Sequence, residues 1–141
     1  MSDVKSKLGK LRLIQLLLIG FVLISAFFAE LAPGRTGGRW NWAHWLVAGL
    51  AAVCMLEGFH FRHRFLRPSA DALARDTRNL KALKRWEAWQ LMCLAMAESV
   101  ACCGLVVRMV LGGTLWQALL FYSVGLFLLV LWTPHGLPRS F

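Results

Sequence analysis

Residues 91–110 read LMCLAMAESVACCGLVVRMV, an apolar run with one acid, Glu98, near its middle. A helix rises about 1.5 Å per residue, so about 20 such residues match the ~30 Å hydrocarbon core of a bilayer. Similar runs lie at about 13–32, 42–61 and 115–133, and the quoted one extends back to about 86. The chain has 141 residues, 58% hydrophobic and 16% charged, with mean hydropathy +0.57. That leaves too little polar surface for a soluble domain. The expected fold is an all-α membrane protein, one domain over 1–141, with four transmembrane helices in two hairpins. The first run is long for a signal peptide and no small-x-small site follows it, so it reads as an uncleaved span.

The net charge of +9 could suggest nucleic acid, but its distribution argues against that partner. Of 16 Lys and Arg, four precede the first run, eight lie between Arg62 and Arg85, and Arg139 follows the last run. The opposite side has only Arg35, Arg39 and Arg108. The positive-inside rule therefore predicts both termini and the 62–85 connector on the cytoplasmic side. Trp40, Trp42, Trp45 and Trp116 fall at predicted outer interfaces, and Trp86, Trp89 and Trp132 at inner ones, as an aromatic belt would require. Short loops and the lack of a transit-like leader favour a bacterial inner membrane.

Between the spans, PGRTGGRWN (33–41) and Gly112-Gly113 read as tight turns. In the connector Pro68 predicts a break. From Ser69, a plausible N-cap, Leu73, Leu80 and Leu83 recur at near-helical spacing among basic residues, predicting a short amphipathic helix at the membrane surface. Arg62, Arg64, Arg67, Arg75, Arg78, Lys81, Lys84 and Arg85 are its candidate contacts to anionic headgroups. A weak repeat at an offset of 75 pairs Gln15 with Gln90, Gly37-Gly38 with Gly112-Gly113 and His60 with His135, compatible with a parallel internal duplication.

Glu98 is the leading candidate for function. A lone carboxylate at the bilayer centre is costly, so it should be protonated, paired or turned to a polar interior. Ala97, Ala101 and Gly104 form a small-residue stripe beside it that lets another helix approach. Glu98 is therefore expected to face protein and to donate a hydrogen bond across to that helix, or else to carry an ion.

Ala95-Met96-Ala97-Glu98, followed by Gly104-Leu105-Val106-Val107, resembles the ion-binding helix of rotary ATPase proteolipid (c-type) subunits. The resemblance covers residues 95–107. It implies a hairpin protein whose helix carboxylate takes up a proton or a sodium ion.

Glu57, His60 and His63 form E-x-x-H-x-x-H at the inner end of the second run, and Glu57 with His60 is a weak metal candidate. Such sites need further carboxylates, so a polar interfacial cluster is the simpler reading. His44 could serve a haem from the outer side but reads more simply as a belt residue. Glu30 and Arg108, near the outer ends of the first and third runs, could pair across the bundle. Cys54, Cys93, Cys102 and Cys103 all lie inside apolar runs and read as reduced thiols.

Three functions follow. The first is an accessory or scaffold subunit of a larger membrane complex, partnered by other membrane subunits or by copies of itself. The second is a proteolipid-like proton or cation carrier using Glu98. The third is a metal- or haem-binding membrane protein. No cofactor and no catalytic group is expected.

Overall fold

The computed structural model describes residues 2–31, 40–76 and 78–134, and is all-helical with no strand among them. Helix α1 spans Ser2–Leu31, α2 Trp42–Phe61, α3 Arg67–Arg75, α4 Leu80–Leu105 and α5 Leu115–Leu131. A π-helical turn, Arg62–Leu66, joins α2 to α3 without a break, and a second one, Val106–Val110, extends α4. The stretches Lys5–Leu31, Trp42–Arg75 and Leu80–Val110 are long and apolar enough to cross a membrane. Helix α5 is also apolar but shorter. These lengths and compositions are those of a helical membrane protein.

The helix starts are set by local chemistry. Asn41 caps α2, its Oδ1 accepting from the amides of Ala43 and His44 at 3.1 and 3.3 Å. Thr114 and Gln117 form a reciprocal capping box on α5, the pattern T-x-x-Q expected of such a start. Asn79 caps α4 by accepting from Ala82 N at 3.0 Å.

The connector differs from expectation. Pro68 does not break it and Ser69 does not cap it. Instead Pro68 lies inside the continuous helix, directly after the π turn, where the local change of hydrogen-bond register accommodates a residue with no N–H. Ser69 Oγ donates back to Phe65 O at 2.8 Å, inside the helix. The rod from Trp42 to Arg75 thus has 34 residues, about 50 Å at the helical rise. The helix stops only at Asp76, whose Oδ1 accepts from Arg78 N at 3.0 Å, an Asx turn that competes with helix. The predicted single amphipathic helix is therefore split between α3 and the start of α4. Leu73 and Leu83 are buried on either side of this turn, and Leu80 is exposed.

Helix α4 is the hub, with α1, α2, α3 and α5 all packed against it. Cys93, Leu94, Ala97 and Val107 on it are wholly buried. Against α5 the approach is close: a Cβ added at Gly125 would meet the Ala101 backbone, and one at Gly104 would meet the Tyr122 ring. The stripe Ala97, Ala101 and Gly104 therefore lies within the protein, as small residues permit. Helix α1 packs on α4 and α5 through a narrow seam. Leu11, Gln15, Val22 and Ala29 are buried, with Leu8, Leu18 and Ala26 partly so. These positions repeat every three or four residues, the seam of a left-handed packing. The rest of α1 exposes Leu16, Leu17, Phe21, Ile24, Phe27 and Phe28.

Side-chain ties fix the helix ends. Lys7 of α1 reaches Glu87 of α4 at 2.8 Å. Gln15 Nε2 donates to Leu129 O at 2.6 Å and to Thr133 Oγ1 at 2.8 Å, and Gln90 Nε2 donates to Trp132 O at 2.7 Å. Two buried glutamines thus satisfy carbonyls at the end of α5 that have no partner along their own helix. Gln15 and Gln90 are equivalent in the 75-residue repeat, and both bond to the end of α5. At the other end Arg108 grips Glu30 through two bonds of 2.9 and 3.0 Å and donates to Gly113 O at 2.9 Å.

The tryptophans differ in exposure between the two ends of the bundle. Trp42, Trp45 and Trp116 are exposed. Trp86 and Trp132 are buried, with Trp132 filling the space over Gly58. Trp89 stacks on Phe65 and Phe61 at 4.5 and 5.4 Å. At this end, Trp86, Trp89 and Trp132 therefore pack against other residues of the chain.

Candidate functional site

Glu98 sits on α4 with Ala101, Cys102 and Leu105 above it on the same face, at the three- and four-residue spacing of a helix. Together with Phe21 and Val22 of α1 and Tyr122 of α5, these residues line a narrow crevice where three helices meet. Both carboxyl oxygens of Glu98 are buried and neither has a hydrogen-bond partner. The interhelical bond expected from Glu98 is therefore not formed, because the side chains facing the crevice are apolar apart from Tyr122 and Cys102. The Tyr122 hydroxyl is likewise buried without a partner.

Two polar groups left unsatisfied in one crevice are unusual, since buried polar atoms nearly always find partners. A carboxyl and a phenol can each donate or accept a proton. Tyr122 was not singled out from the sequence. Its signal was available: it is the chain's only tyrosine, and it lies inside an apolar run.

The remaining candidates separate. Glu57, His60 and His63 are all exposed at the end of α2 and the turn after it. His60 has only the rings of Phe61 and Phe65 close by, at 6.2 and 6.4 Å. Among the described residues no group of three or more His, Cys, Asp or Glu is placed to hold a metal, so Glu57 and His60 gain no third ligand.

His44 is fully buried, not a belt residue. Its Nδ1 lies 2.8 Å from Asn41 Oδ1 as part of the α2 cap, and its ring lies 5.1 Å from that of Trp40. The cap draws the ring inward, leaving Nε2 without a partner. Of the basic set, Arg62 is half-buried, and Arg64, Arg67, Arg75, Arg78, Lys81, Lys84 and Arg85 are exposed. Arg64 lies 5.9 Å over the Phe65 ring. The four cysteines are unpaired.

The chain matches no protein-family model, no curated protein and no solved structure. The likeness to proteolipid subunits thus stands on residues 95–107 alone.

Proposed function

We propose that this protein is a small four-span membrane protein that serves as an accessory or scaffold subunit, packed with other subunits or with copies of itself in a bacterial inner membrane. The basic ends, with both termini, face the cytoplasm in this reading, on the count of 13 Lys and Arg against three. One observation carries the scaffold role: side-chain ties join the helices to one another near their ends. Gln15, Gln90, Lys7–Glu87 and Glu30–Arg108 each join one helix end to another. Helices α1 and α2 meanwhile present long apolar faces outward, suited to lipid and to neighbouring spans.

Extraction in mild detergent followed by native gel analysis and identification of co-purifying proteins tests this. A particle containing one copy and nothing else defeats it. Topology is tested separately with single cysteines introduced at Ser6, Arg78 and Trp116. An impermeant thiol reagent added outside should label only the last.

Glu98 favours a second reading, a proton or cation carrier, because its carboxyl is the acid within the bundle that no tie absorbs. Glu98→Gln keeps shape and donor capacity but cannot release a proton. Intact assembly with abolished ion flux would support the carrier, and unchanged flux would exclude it. Dicyclohexylcarbodiimide, which modifies buried protonated carboxyls, should block the carrier and spare the scaffold.

A further inference from the structure

The turn between α3 and α4 holds a notch of about 220 Å³, lined by Pro68, Ser69, Ala72, Asn79, Lys81 and Arg85. That is several times the ~30 Å³ share of a water molecule, enough for a tetrahedral anion. Its chemistry is one-sided. Among the described residues no carboxylate lines it, and neither Lys81 nor Arg85 is ion-paired. The Asn79 Oδ1 is committed to Ala82 N, and no hydrogen bond among the described residues occupies the amide's donor end. Ser69 spends its hydrogen on Phe65 O, so the donors left to an anion are Lys81, Arg85 and the Asn79 amide. Ala82 also lines the notch, and it is buried, as are Leu73 of α3 and Leu83 of α4 on either side of the turn. Cations and an amide donor on a concave surface are what a phosphate group requires.

We propose that this notch binds a phosphate group, held by Lys81, Arg85 and the Asn79 amide. The phosphate can come from an anionic phospholipid headgroup or from the free ion. A lipid source rests on the proposed topology, which the cysteine labelling tests independently. Unlike general attraction between a basic surface and an anionic leaflet, a built notch depends on which charges are removed and on its open volume.

The test uses the full-length protein in neutral-detergent micelles doped with phosphatidylglycerol or phosphatidylcholine, read by native mass spectrometry. Phosphatidylglycerol should be retained over phosphatidylcholine. Lys81→Gln with Arg85→Gln should weaken it about 30-fold, from the usual contribution of two basic side chains beside an anionic headgroup. Ala72→Leu leaves the charge unchanged but fills the notch, and should weaken binding about tenfold or more. Lys5→Gln with Lys10→Gln removes the same charge from exposed positions on α1 and should change it less than about threefold, as screened distant charges do.

Equal losses from the two charge pairs, or normal binding in Ala72→Leu, would overturn the notch as the site. Inorganic phosphate at millimolar concentration distinguishes the sources: if it binds and displaces the lipid, the free ion is the ligand, and if the lipid is retained, the headgroup is. Failure of both to bind would overturn the proposal.

Discussion

Substituting alanine at Gly125 adds one carbon where α5 crosses α4. That carbon would lie 2.6 Å from the Ala101 Cβ, 2.7 Å from its nitrogen and 2.9 Å from its Cα. Ordinary contact begins near 3.4 Å, so the helices must separate by roughly 0.8 Å. The obstructing atoms are helix backbone and the Cβ fixed to it, and no rotamer change relieves them. Overpacking of this kind costs about 1–3 kcal/mol. Alanine also gains up to about 1 kcal/mol of helix propensity over glycine, which masks part of the cost. Gly49→Ala and Gly20→Ala isolate that gain, because an added Cβ at either meets nothing within 4 Å. Stability measured by dodecyl sulfate titration in mixed micelles, followed by tryptophan fluorescence, should place Gly125→Ala about 1–3 kcal/mol below these two controls. That difference is roughly 5- to 150-fold in the unfolding equilibrium at about 1.4 kcal/mol per tenfold. If the three variants shift together, the close α4–α5 crossing is refuted.

Gln90→Leu removes a buried donor from Trp132 O and should cost about 0.6–1.7 kcal/mol in the same titration, the range for interhelical bonds in membranes. Gln15→Leu should cost at least as much, since it strands two acceptors. Glu30→Arg and Arg108→Glu should each destabilise, and combining them should restore part of the loss if the ion pair is what matters; no rescue would point to the Arg108–Gly113 bond instead. Thr114→Ala deletes the cap of α5 and should cost about 1 kcal/mol, whereas Thr114→Ser should be nearly neutral.

The helical class and the approximate apolar runs were legible because hydropathy reports what lipid demands of each residue one at a time. Packing was less so, for a physical reason. In α1 almost every residue between Leu13 and Phe28 is apolar, so the seam of Leu11, Gln15, Val22 and Ala29 produces no amphipathic contrast. Only Gln15 marks it. The connector failed differently: leucine spacing suggested one helix, and the Asx turn at Asp76 with the Asn79 cap cut it in two. Both residues were visible and compete with helix by known chemistry. For Trp86 and Trp132 the sequence suggested depth along a span, which says nothing about which way a ring points. Trp132 is at the right depth for a belt and yet turns inward over Gly58.

Glu98 is the case where sequence and structure each supply half of the reasoning. The sequence places an acid at mid-span beside small residues and suggests that those residues receive a helix. In the structure α5 does pack there, through Gly125 on Ala101 and Tyr122 on Gly104. This approach leaves the carboxyl between α1 and α5, where its neighbours are Phe21, Val22 and Leu105. The stripe and the acid are therefore coupled: the contact that closes the α4–α5 crossing also shuts Glu98 away from partners. Opening the crossing with Gly125→Ala should then change more than stability. It should speed the reaction of Glu98 with dicyclohexylcarbodiimide relative to Gly49→Ala, because the reagent's access is limited by the same packing. Equal rates in the two variants would show that the crossing does not guard the carboxyl, and that α1 alone covers it.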